Sequence, residues 1–170
     1  DRLREVRPDL GLSSDFIVGH PEESNEDFAA TLRLISEVNY SQAYSFKYSP
    51  RPGTPASSHE QISDVIKSDR LQTLQQLLNE QQLTFNTRSI NTYQKVLVER
   101  KREQNGQLTG RGPFMQNINF NGPATLLGQI VDVQIEDGFG KSLSGRLVTE
   151  QQSYRDVEMI DHKNQERKTA

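Results

Sequence analysis

The stretch with the most chemistry to offer is Tyr48-Ser49-Pro50-Arg51-Pro52-Gly53-Thr54-Pro55-Ala56. Prolines 50, 52 and 55 restrict the backbone, so little ordering entropy is lost when Arg51 meets a partner. Its guanidinium is a forked donor that suits a phosphate or a carboxylate. The competing account is a stiff connector whose arginine pairs with a carboxylate of the protein itself. A second candidate is Gly19-His20-Pro21-Glu22-Glu23-Ser24. Gly19 lets backbone approach a ligand closely, and the start of a following helix offers free N–H groups to an anion. Glu22 and Glu23 can hold a ribose hydroxyl there, or serve as helix-start acids favoured by the dipole. An ordinary strand-to-helix turn is the plainer account of the glycine.

His20, His59 and His162 are far apart and lack metal-ligand spacing, which points to surface or loop residues rather than ligands or bases. Cysteine is absent, which excludes disulfides, thiolate metal sites, iron–sulfur ligation and cysteine nucleophiles within these residues. The other concentration of chemistry is cationic. Lys95, Arg100, Lys101, Arg102, Arg111, Lys141 and Arg146 lie close to Phe114, Phe120 and Phe139. Cations interleaved with stacking faces suit single-stranded or looped RNA. The same residues also describe a solvated face over an aromatic core. Phe120 is expected in that core; Phe114 and Phe139, beside turn glycines, fit either place.

The elements that must position these groups fall into two patterns. Residues 1–9 read as the end of a helix stopped by Pro8. Phe16-Ile17-Val18, closed by Gly19, predicts a short strand buried on both faces, as in a parallel sheet. Ser24 or Asn25 can cap a helix running to about Val38, with Phe28, Leu32 and Ile35 on one face. Residues 43–48 alternate, with Tyr44, Phe46 and Tyr48 on one side, and predict a second strand. Strand, helix and strand make one βαβ unit, followed after the proline-rich loop by a long helix over 61–87 carrying Leu71, Leu74, Leu78 and Phe85. A parallel pair needs neighbouring strands and cover on both faces, so this portion reads as the end of a larger α/β domain. The first residue, Asp1, agrees with a segment cut from a longer chain.

From residue 88 the pattern becomes all-β. Strands are predicted at 95–100, 107–111, 117–120, 128–136 and 143–148, separated by Gly, Pro and Asn turns, which points to a small closed barrel related to the OB fold. Residues 151–170 are polar without a sustained period and read as a disordered tail. Charge changes with pattern: 1–87 hold 8 basic and 13 acidic side chains, whereas 88–150 hold 8 and 6. The whole chain of 170 residues is net −3, so no global cationic character advertises nucleic acid. No apolar run of about 18 residues exists to span a membrane, and no signal peptide opens the chain.

Several of these pieces are familiar together. Ser14-Asp15-Phe16-Ile17-Val18-Gly19, followed by Pro21, Glu23 and Glu26-Asp27-Phe28, resembles the D-x-I-V-G-F-P-G-E-T-x-x-D-F stretch of the radical-SAM methylthiotransferases. Tyr44-Ser45-Phe46 with the 48–56 loop is similar to that family's late motif, and Lys67, Arg70-Leu71 and Leu74 resemble the helix after it. Val96-Leu97-Val98-Glu99, Gly110, Asn119-Phe120, Gly128 and Leu143-Ser144-Gly145 look like a TRAM domain. The string S-P-R-P-G-T-P-A points to the tRNA-modifying branch. One departure stands out: the family's G-F-P-G-E-T is here Gly19-His20-Pro21-Glu22-Glu23-Ser24, which replaces a glycine by Glu22, removes backbone freedom and adds charge.

The resemblance implies an α/β part followed by an all-β part. Residues 1–87 would be the βαβ end of a radical-SAM partial TIM barrel plus a long helix, 88–150 a five-stranded OB-like TRAM barrel, and 151–170 the tail. It implies a cytoplasmic transferase that adds a methylthio group at C2 of N6-isopentenyladenosine beside the anticodon. Its cofactors would be S-adenosylmethionine and two [4Fe-4S] clusters, whose cysteines lie upstream of the motifs seen here. This segment would hold no catalytic residue or metal ligand and would not act alone. Ile17, Gly19 and, in the turn after them, Glu23 would bind S-adenosylmethionine; Arg51 would stand near the cofactor or substrate mouth. Lys95, Arg100, Lys101, Arg111, Lys141 and Arg146 would grip the tRNA anticodon arm. The partners would be that tRNA and the N-terminal part of the same enzyme. Two other functions fit the same residues: a non-enzymatic RNA-binding protein that kept its TRAM barrel, and the same chemistry on an aspartate of a ribosomal protein.

Overall fold

The structure is a computed structural model and describes residues 2–103 and 106–148; the expected tail at 151–170 and His162 lie outside the described residues. Two compact units part between Arg88 and Ser89. In the first, α1 (Arg2–Val6) precedes β1 (Ser13–Val18), α2 (Asn25–Val38), β2 (Gln42–Lys47), a 3-10 turn at Pro55–Ser58 and α3 (Asp64–Thr87). β1 and β2 pair in parallel from Ser13↔Gln42 to Val18↔Lys47, with α2 as the crossover.

The start of α2 is set by chemistry legible in the sequence. Ser24 accepts from the Asp27 N–H at 3.1 Å while Asp27 accepts from the Ser24 N–H at 3.0 Å, a reciprocal capping box. Asn39 ends the helix in the left-handed region at φ 54°. α3 begins at Asp64, later than the expected 61, because the Ser63 hydroxyl caps the Ile66 N–H. Val18, Ile35, Leu74 and Leu78 form the core between the sheet and the two long helices, with Phe16, Phe28, Leu32 and Ala43 packed against it.

Only one face of this sheet is covered. Asp15 and Ile17 stand beside Tyr44 and Phe46 on the other face, in register across the two strands. Ile17 is 60% exposed and Phe46 54%. The expectation that β1 is buried on both faces is therefore corrected: the helices of this unit sit on one side, and no described residue covers the other.

The second unit is the closed five-stranded barrel expected from the turn-punctuated pattern. Its strands are β3 (Tyr93–Lys101), β4 (Leu108–Arg111), β5 (Asn117–Asn121), β6 (Ile130–Gly138) and β7 (Leu143–Leu147). They close in the order β3-β4-β5-β7-β6, all antiparallel except the β5–β7 pair. Val96, Val98, Leu108, Ile118, Phe120, Val133, Ile135 and Leu143 fill the interior. β3 shows the alternation that produces this: Gln94, Val96 and Val98 point in, and Lys95, Leu97 and Glu99 point out. Register shifts between Val98 and Arg100, and between Ile135 and Asp137, bend the strands around the closure. Phe120 is in the core; Phe139 is exposed and Phe114 half-buried.

Candidate functional site

Two groups of residues carry functional chemistry, one in each unit. The first lies at the carboxyl ends of β1 and β2, where ligands of parallel α/β folds bind. Gly19 follows β1 at φ +73°, and a Cβ there would collide with the side-chain stem of Lys67. Glu23 closes the turn: its Oε2 accepts from the Gly19 N–H at 2.7 Å and from Arg70 Nη1 at 2.5 Å. This ion pair is largely buried, with side chains 12% and 9% exposed. Arg70 also donates to the Glu23 carbonyl and to Asn25 Oδ1, both at 3.0 Å, and its guanidinium lies 5.5 Å over the Phe28 ring.

Glu23 Oε2 is thus engaged inside the protein, where it holds the Gly19 turn. Glu22, by contrast, is exposed, sits at φ 70° and faces His59 Nδ1 at 3.1 Å. A non-glycine side chain in the left-handed region costs roughly 1–2 kcal/mol, so the turn's shape is imposed by its surroundings. His20 packs its ring edge on Tyr48, with centroids 5.0 Å apart.

Beyond Gly19, the bare sheet face opens into a cleft of about 640 Å³ lined by Asp15, Ile17, Phe46, Tyr48, Arg51 and Thr54, among others. That volume is ordinary for a small-molecule site, and its mostly apolar wall with a few polar groups is the usual composition. Arg51 stands at the rim; its carbonyl accepts from the Thr54 N–H and hydroxyl at 3.2 and 2.8 Å. Its exposed guanidinium has no hydrogen-bond or ion-pair partner among the described residues. An apolar wall and an arginine unpaired among the described residues fit an adenosyl amino acid carrying a carboxylate, whereas Gly19 is buried beside the cleft and does not line it. A cluster does not fit: cysteine is absent, and no three His, Asp or Glu among the described residues gather around a metal position.

Sequence reasoning weighed neither Lys67 nor Arg70 as a site residue. The signal was available: both are buried, and with Leu74 and Leu78 they make one stripe along α3. Two members of that stripe are cations, so an apolar count starts only at Leu71 and passes over them.

The second group is the cationic side chains of the barrel, which divide into two classes. Lys95 pairs with Asp132 at 3.1 Å, Arg111 with Glu99 at 3.3 Å, and Arg146 with Glu136 at 3.3 Å while also donating to Gln134. Register explains the first: Lys95 and Asp132 are direct cross-strand neighbours. Arg100 and Lys101, at the end of β3, are exposed and unpaired among the described residues, as are Arg102 beyond the strand and Lys141 on the β6–β7 turn.

Comparison with known proteins agrees with both units. Residues 88–148 match the TRAM domain. The chain is similar to the protein named tRNA-2-methylthio-N(6)-dimethylallyladenosine synthase in Magnetococcus marinus, at 51% identity over 150 residues, 87% of this chain and 34% of that protein. It is similar to the proteins of the same name in Zymomonas mobilis (49% over 153 residues, 89% and 34%) and Rickettsia rickettsii (50% over 150 residues, 87% and 34%). The chain thus spans about a third of the length of these curated relatives.

Proposed function

We infer that this chain, a homologue over most of its length of the tRNA-2-methylthio-N(6)-dimethylallyladenosine synthases and the bearer of a TRAM domain, is the carboxyl-terminal part of a tRNA methylthiotransferase. Its first unit supplies the end of the radical-SAM barrel, and its TRAM barrel binds tRNA at the anticodon arm. The observation that carries the reading is the bare apolar face of the parallel sheet, with its cleft at the strand carboxyl ends. A sheet with Ile17 and Phe46 in water is half of a sandwich. The upstream strands of a barrel are the cover it lacks.

S-adenosylmethionine, when bound, supplies the methyl group and the hydrogen-abstracting chemistry. The residues here have the simpler tasks of binding and orientation. Ile17 and Phe46 offer apolar wall to the adenosyl group, the buried Gly19 turn supports the strand end beneath them, and Arg51 offers its fork to a carboxylate or phosphate. On the barrel, Arg100, Lys101 and Lys141 supply phosphate contacts, because their charges are not already neutralised. Lys95, Arg111 and Arg146 contribute less, each sharing its charge with a carboxylate. No helix among the described residues is long and apolar enough to cross a membrane, in keeping with a partner in solution.

The test is an assay of the full-length protein with isopentenylated tRNA, followed by mass spectrometry of the nucleosides. Appearance of the 2-methylthio nucleoside is expected. Modification of an aspartate on a ribosomal protein in its place, or tRNA binding without modification, overturns the reading in favour of the other two functions.

A further inference from the structure

Lys67 is 4% exposed, yet no carboxylate among the described residues pairs with it. A buried ammonium without an anion is costly, so the contacts that hold it there carry information. Its Nζ donates to the Tyr48 carbonyl at 3.5 Å and lies over the Tyr48 ring, 5.6 Å from the centroid. Its aliphatic stem fills the space where a Cβ on Gly19 would fall. One side chain from the first turn of α3 therefore touches the residue after β1 and the residue after β2. Tyr48 lines the cleft, and Gly19 follows the strand whose Asp15 and Ile17 line it. Lys67 itself does not line the cleft, whereas Tyr48 does, beside Ser49 and Arg51. Tyr48 is further fixed by donating its N–H to the Val18 carbonyl at 2.8 Å and by the edge of His20.

We propose that Lys67 is a positioning residue for the cleft. It locks the Gly19 turn and the Tyr48 wall into one geometry, so that a ligand in the cleft meets Ile17 and Arg51 at the same time. The proposal rests on the reading of that ligand as S-adenosylmethionine. The division of labour within the side chain makes it testable. The stem packs against Gly19 and any unbranched apolar chain can replace it. Only a cation reaches both the Tyr48 carbonyl and the face of its ring.

Lys67→Met keeps the packing and deletes the charge, and Lys67→Arg restores a cation. In the full-length protein reconstituted with its clusters, equilibrium dialysis with labelled S-adenosylmethionine is expected to show the dissociation constant rising about tenfold in Lys67→Met. Lys67→Arg should recover most of that loss. Amide hydrogen exchange should quicken at 19–24 and 48–51 in Lys67→Met, while α2 and the barrel strands exchange as in the parent. An unchanged dissociation constant overturns the proposal, and so does faster exchange throughout the first unit, which would make Lys67 merely structural. Should Lys67→Met not fold, Lys67→Gln deletes the charge while keeping a donor and most of the stem, and must weaken binding for the proposal to stand. A parent protein that binds no S-adenosylmethionine, with the two loops still loosened in Lys67→Met, would overturn the cofactor reading and leave the brace.

Discussion

The Arg70–Glu23 pair gives the sharpest stability prediction. Arg70→Met retains the aliphatic bulk against Phe28 but removes three donations, to Glu23 Oε2, the Glu23 carbonyl and Asn25 Oδ1. What remains is a carboxylate 12% exposed, with the Gly19 N–H as its one named donor. Breaking a buried pair from one side costs about 3–5 kcal/mol, because the surviving charge is left in a poor solvent. The surviving N–H donor and the slight exposure of Glu23 place this case at the lower end, about 3 kcal/mol. Adding Glu23→Gln removes the stranded charge while its amide oxygen still accepts from Gly19. The double variant should therefore recover about 2 kcal/mol, which appears as coupling in a double-mutant cycle. Urea unfolding followed by far-ultraviolet circular dichroism reads the right unit, since every described α-helix belongs to it. A loss below about 1 kcal/mol in Arg70→Met, or a double variant no more stable than the single, would refute the argument.

Glu22→Gly relieves a left-handed residue at φ 70° and forfeits only an exposed pair with His59, so a gain of about 0.5–1 kcal/mol is expected in the same unfolding experiment; a loss would show that the His59 contact matters more than the backbone. The Ser24 backbone N–H, and then its hydroxyl, hold the Asp27 carboxyl below the ordinary carboxylate range. A lowered folded value means the contribution is complete above about pH 4 and is lost as pH falls through the folded value. Helix signal followed from about pH 5 to about pH 2 should therefore fall less in Asp27→Ala than in the parent, and equal losses would remove Asp27 from the account. On the barrel, Arg100→Ala with Lys101→Ala should flatten the salt dependence of tRNA affinity by about 1–2 in log–log slope, whereas Arg146→Ala, already paired, should change it by less. A slope unchanged in the double variant would return both residues to the solvated face.

Where a local rule acts alone, the fold follows directly from the residues. The Ser24–Asp27 box needs only the Ser-x-x-Asp spacing, and it fixes the start of α2. Apolar β-branched residues locate β3 and β6, although Val96-Leu97-Val98 and Ile130-Val131 break strict alternation and only the fold assigns Val96, Val98, Val133 and Ile135 to the inside. Closure of the barrel was similarly legible, because five short strands with glycine turns have few other ways to hide their edges. What escaped is whatever depends on a distant partner. Lys95, Arg111 and Arg146 look the same in sequence as Arg100 and Lys101; only the register of β3, β4 and β7 against β6, β3 and β6 in turn reveals which carry a carboxylate beside them. Ile17 shows the converse. Its apolar run implied cover on both faces, and the described residues supply only one side.

Glu22 shows how contacts outside a turn can hold its shape. Taken alone, a glutamate after Pro21 signals a turn without the backbone freedom of glycine. The backbone nevertheless enters the left-handed region there. The reason lies outside the turn: Glu23 ties the Gly19 N–H to Arg70, and Lys67 fills the space over Gly19, so α3 dictates the path of residues 19–24 from both sides. Glycine at position 22 would make that path cheaper but does not create it. Gly19 itself is different, because any Cβ there meets the Lys67 stem. Positions 22 and 19 therefore have unequal standing in this chain. One answers to backbone torsion, which surrounding contacts can enforce, and the other to a steric boundary set by the helix that also braces Tyr48.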